Sequence, residues 1–115
     1  MITKTIKIPI YFGKLNIILT KDFKDVNKKF NKNIENNKVA AVTFAEVDKD
    51  NYFIVIKDIE WSVIAHEAVH IVNYIFLGTG VLLDRQNDES QAYLTGWVVH
   101  EVEKFLKENK KCKKN

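Results

Sequence analysis

The sequence predicts a single α+β domain with elements in the order ββα, ββ, αα. Three observations point there: two pairs of short β-rich runs, an amphipathic segment between the pairs, and a long breaker-free apolar helix followed by another helix. The 115 residues, 46% of them hydrophobic, suffice for one compact core without disulfides. Residues 1–106 form that domain and 107–115 a lysine-rich C-terminal tail.

Residues 4–10 alternate polar and apolar, and Leu15 to Leu19 follows the Phe12-Gly13-Lys14 turn, so both read as short strands. Pro9 argues for an edge position in the first. From Lys21 to Ile34, the residues Phe23, Val26, Phe30 and Ile34 recur at helical spacing. Residues 38–47 and 51–58 are β-rich runs joined by the polar turn Asp48-Lys49-Asp50, a predicted hairpin expected to supply the central strands. Ile59 to Leu77 contains no breaker and stops at Gly78-Thr79-Gly80, with Asp58 as the expected N-cap. Asn87 or Asp88 is placed to cap a last helix that runs through Trp97 and Phe105.

The net charge of +3 is concentrated in the tail, where five lysines face one glutamate for +4, leaving −1 for residues 1–106. With Arg85 the only arginine, bidentate recognition of phosphates or bases has almost no equipment. The tail is left as the one segment with a charge suited to phosphates or an acidic partner. No run approaches the roughly 20 apolar residues that cross a bilayer, so no membrane partner is expected. One cysteine, Cys112, excludes a disulfide framework and fits a reducing cytoplasmic compartment.

Chemistry concentrates in His66-Glu67-Ala68-Val69-His70. Histidines four apart on a helix project about 40° from one another and one turn apart, as two imidazoles sharing a metal ion must. Glu67 flanks the pair and is placed to act on a metal-bound water instead of on the metal. Apolar residues such as Val63, Ile64, Ala68, Val69, Val72 and Phe76 surround the axis, which predicts a buried helix. A zinc ion with its water is the economical way to satisfy three polar groups in a dry place, the alternative being a pair of core histidines bonded to backbone carbonyls.

Glu89 is the leading choice for a third ligand, with Asp88 beside it as the alternative. Either residue can instead cap the last helix. His100, about 16 Å beyond Glu89 along one helix face, should miss a metal held there. Tyr93, one turn after Glu89, is a candidate for stabilising an oxyanion, and Asn73 for orienting a ligand ring.

His66-Glu67-Ala68-Val69-His70, followed by Glu89-Ser90-Gln91-Ala92-Tyr93, resembles the core of a gluzincin metallopeptidase and of the short zincin-like proteins encoded by bacteriophages. The likeness spans roughly residues 50–95. It implies a minimal zincin-like domain, with a small mixed sheet packed on the HExxH helix and a C-terminal helix after it. It also implies zinc on His66, His70 and Glu89, Glu67 as base, and an edge strand near 51–57 that pairs with an extended peptide. The sequence departs from the gluzincin pattern at Tyr93, where many members carry an aspartate, and it has no separate lobe to stabilise a tetrahedral intermediate.

The expected activity is therefore zinc-dependent hydrolysis of a peptide or protein, in the host cytoplasm if the chain is phage-encoded. The competing expectation is a zincin-shaped binding or structural module without turnover, such as a virion component or an inhibitor of a host protein.

Overall fold

The computed structural model describes the backbone of residues 1–113 and the side chains of residues 1–109. It is an α+β domain: strands β1 (Ile2–Lys7) and β2 (Lys14–Leu19), helix α1 (Lys24–Phe30), strands β3 (Ala41–Glu46) and β4 (Asn51–Ile56), then helices α2 (Trp61–Thr79) and α3 (Glu89–Lys113). The order matches the sequence expectation, with one 3-10 turn, Val47–Lys49, added inside the β3–β4 connection. No described helix is long and apolar enough to cross a membrane.

The four strands form one mixed sheet in the order β1-β2-β4-β3. β2 pairs antiparallel with β1 and parallel with β4, while β3 pairs antiparallel with β4. Of the two strands expected at the centre, only β4 is there. β3 lies at an edge, and β2 takes the other central place. The strands' composition accounts for this: β2 and β4 are almost continuously apolar, as strands buried on both faces must be, whereas β1 and β3 mix polar residues into their runs. The peptide-pairing edge implied near 51–57 is thus internal, and the free edge on that side belongs to β3.

Alternation along the strands sorts two cores. Leu15, Ile17, Leu19, Tyr52, Ile54 and Ile56 face α2 and α3, while Ile18, Phe53 and Val55 face Phe23 and Val26 at α1. Phe44 stacks on Phe53 with ring centroids 4.6 Å apart, and Phe30 closes the same cluster at 5.0 Å from Phe53. Helix α1 is shorter than the 21–34 reading, because Asn31 enters the left-handed region at φ 55° and ends it.

Helix α2 buries Ile64, Ala68, Ile71, Val72, Ile75 and Phe76, a stripe at 3.6-residue spacing. Its N-cap position is Glu60, which makes no side-chain capping bond, and not the expected Asp58. Gly80, at φ 73°, ends it as the Gly78-Thr79-Gly80 run predicts. Helix α3 buries Leu94, Val98, Val102, Phe105 and Leu106. The lysine-rich segment starts inside α3. Its side chains from Lys110 onward, Cys112 included, and residues 114–115 lie outside the described residues.

Candidate metal centre

His66 and His70 stand one turn apart on α2, on the flank away from its apolar stripe. Their Nε2 atoms converge to 3.1 Å and their ring planes meet at 72°. Two nitrogens each about 2.05 Å from a tetrahedral zinc would be about 3.3 Å apart, so their separation suits one shared ion, as it also suits a hydrogen bond from one ring to the other. Glu67 Oε2 lies 3.8 Å from His66 Nε2. One ligand atom from each of His66, Glu67 and His70 falls within 4.8 Å of the others, the one such grouping among the described residues.

The environment differs from the expected dry helix. The His66 side chain is 68% exposed and His70 is exposed too, while the Glu67 side chain is only 13% exposed. The prediction of a helix buried all round fails because Trp61, Ala65 and Val69, although apolar, line the solvent side together with the histidines. The case for a metal therefore rests on the convergence of the two nitrogens. Burial alone would not require it.

His66 and Glu67 form one wall of a groove of about 680 Å³. The segment 36–41 leading into β3 forms another wall, and Lys57, Asp58, Glu60, Ser62 and Val63 complete the lining. The carbonyl of Ala40 accepts hydrogen bonds from the backbone N–H groups of Lys57 (2.8 Å) and Asp58 (3.0 Å), which ties that wall to the end of β4. Lys57 Nζ pairs with Asp58 Oδ2 at 2.8 Å. These groove residues were not singled out from the sequence. Their one signal was the run of charges between β4 and α2.

Glu89, the expected third ligand, is not part of the grouping, and neither is Asp88. At about 100° per residue, Glu89 falls on the side of α3 opposite Leu94, Val98 and Phe105, so burying that stripe turns the carboxylate outward. It lines a shallow surface pocket with Tyr93, Trp97 and His100, which places His100 on Glu89's face as its spacing implies. Tyr93 is exposed there and does not line the histidine groove. Asn73, one turn after His70, orients neither ring: its Oδ1 is buried without a hydrogen-bond partner among the described residues.

The donor set present, two imidazole nitrogens and a carboxylate, suits zinc. Chemically it can hold a divalent ion at the edge of a groove and accept a proton beside it. Neither a family model, nor a curated protein, nor a solved structure matches this chain.

Proposed function

We propose that the protein is a zinc-dependent hydrolase of peptide bonds, of zincin-like type, with His66 and His70 as metal ligands and Glu67 as general base. The observation that carries this reading is the 3.1 Å approach of the two Nε2 atoms beside the Glu67 carboxylate, at the wall of an open groove. A bound zinc ion would supply a Lewis acid that polarises a carbonyl and lowers the pKa of a water. His66 and His70 would hold it through their Nε2 atoms. The groove holds an extended peptide between the 36–41 wall and α2. Glu67 takes the proton of the attacking water on a carboxylate oxygen and returns it to the amine that leaves. The single cysteine of the chain supports a reducing, cytoplasmic setting.

Glu67→Gln tests the assignment, because an amide keeps the shape and loses the base. Zinc content should be retained and cleavage of an unstructured peptide mixture, read by mass spectrometry, should vanish. Undiminished cleavage would overturn the role.

One observation favours a second reading. Among the described residues, the only carboxylate within reach of both histidines is Glu67 itself. As a direct ligand it would complete a centre that binds without turnover, in a recognition or structural module. The same variant separates the two, since Glu67→Gln then loses zinc.

A further inference from the structure

The metal centre offers half of a coordination sphere. A tetrahedral ion takes four donors, and the two Nε2 atoms, 3.1 Å apart, span one edge of that tetrahedron. The described residues supply no matching second edge. Glu89 and Asp88 stand outside the grouping, and His100 lies with Glu89 on the outer face of α3. The one further donor is the Glu67 carboxylate, whose Oε2 is 3.8 Å from His66 Nε2.

This half-built site is presented outward. The His66 side chain is 68% exposed, and His70 is exposed one turn on. Around them the solvent side of α2 carries Ser62, Ala65, Val69 and Leu77, with Val69 42% and Leu77 71% exposed. Glu67 is the only charged side chain in the 19 residues of the helix. A helix face turned to water ordinarily carries charges, whereas this one can meet its own copy without opposing like charges. The charges of the adjoining groove are largely paired within the chain, Lys57 with Asp58 at 2.8 Å and Lys38 with Glu35 at 3.1 Å. Glu60 is left, about 9 Å along the helix axis from His66.

A twofold axis through the ion supplies what is missing. Two opposite edges of a tetrahedron are related by such an axis, so the same histidine pair of a second copy fills the two open positions. Charge balances as well. A divalent ion among four neutral imidazoles is offset by two Glu67 carboxylates, one from each copy.

We infer that His66 and His70 of two copies share one zinc ion on a twofold axis, joining the chains along α2 in a homodimer. The inference rests on these histidines being zinc ligands, and it adds a control to the proposed hydrolase. With four imidazoles bound, no position is left for a water, so the bridged form is inactive and only the monomer turns over.

The test is sedimentation of the full chain, stripped with a chelator and then titrated with zinc. At about 100 µM chain, about half an equivalent of zinc should double the average mass, with calorimetry giving one ion per two chains, and chelator should restore the monomer. Val69→Lys brings a lysine from each copy to the meeting face. That variant should stay monomeric at the same zinc level and bind one ion per chain. It should melt with the parent in chelator, because Val69 is partly exposed. A parent chain that binds zinc as a monomer, or a bridged dimer indifferent to Val69→Lys, would overturn the inference while leaving the ligands in place. A chain that binds no zinc would overturn both readings. A zinc-dependent dimer that survives the double substitution His66→Ala and His70→Ala would put the shared ion elsewhere and overturn the inference too.

Discussion

The Tyr52 hydroxyl lies against the Cα of Gly78, so close that a Cβ there would overlap the phenolic oxygen. This contact sets how near the C-terminal end of α2 approaches β4. The hydroxyl has no hydrogen-bond partner among the described residues. Removing it should therefore help: Tyr52→Phe is expected to raise stability by about 1 kcal/mol in urea unfolding, because an unpaired buried oxygen is lost and the ring stays. Gly78→Ala should cost about 2 kcal/mol by overpacking. The double variant should recover most of that loss, a non-additivity expected of touching residues. A Gly78→Ala protein as stable as the parent would show that the approach is looser than described.

The same hydroxyl gives the fold a response to alkali. Burial, and then the nearby Asp50 carboxylate, raise the Tyr52 pKa above its ordinary value of 10.0. The folded chain therefore holds this proton more tightly than the unfolded chain. Its contribution is complete below the unfolded pKa and is lost as pH rises through the folded one. Unfolding midpoints measured above about pH 10 should fall with pH, and Tyr52→Phe should flatten that part of the curve. An equal decline in both proteins would assign the effect to other groups.

Metal affinity should divide the sequence-derived ligands. His66→Ala and His70→Ala are each expected to weaken zinc binding about 100-fold or more by calorimetry, since either leaves one imidazole. Glu89→Ala should leave it within about twofold, because its carboxylate is turned away on α3. A large loss on removing Glu89 would mean that α3 rotates or shifts when metal binds.

Asn16 links the strands through its side chain. Its Nδ2 donates to Asn51 Oδ1 at 2.7 Å and to the Tyr52 carbonyl at 3.0 Å, while its Oδ1 accepts from Thr5 Oγ1 at 2.7 Å. Asn51 continues the chain to Glu46 Oε1 at 3.3 Å, so the four strands are joined in one polar network. Asn16→Ala strands several of these groups at once and should cost about 2 kcal/mol or more. The expected readout is a lower urea midpoint with an unchanged slope; a midpoint equal to the parent's would mean that water replaces the amide.

Much of this architecture was legible from the sequence. Strand and helix periods differ enough that the order of elements, the end of α2 at Gly80 and the convergence of His66 and His70 all followed from spacing. Strand neighbours did not follow as readily, although the continuous apolar runs of β2 and β4 carried the signal that both are central. Two features lay beyond local pattern. Ala65 and Val69 are as apolar as Ala68 and Val72, so composition could not say which side of α2 meets the sheet. The outward turn of Glu89 depends on which stripe of α3 the core selects, and chain proximity to His70 gave no warning of it.

Because β2 finds its parallel neighbour only after α1 and β3 have been traversed, the early hairpin cannot complete itself. During synthesis, a nascent chain that ends before Asn51 presents Leu15, Ile17, Ile18 and Leu19 on a strand with one side unpaired. Such a strand is a template for the same strand of another nascent chain. The emergence of β4 from the ribosome is thus the moment at which β2 ceases to offer an open side to another nascent chain.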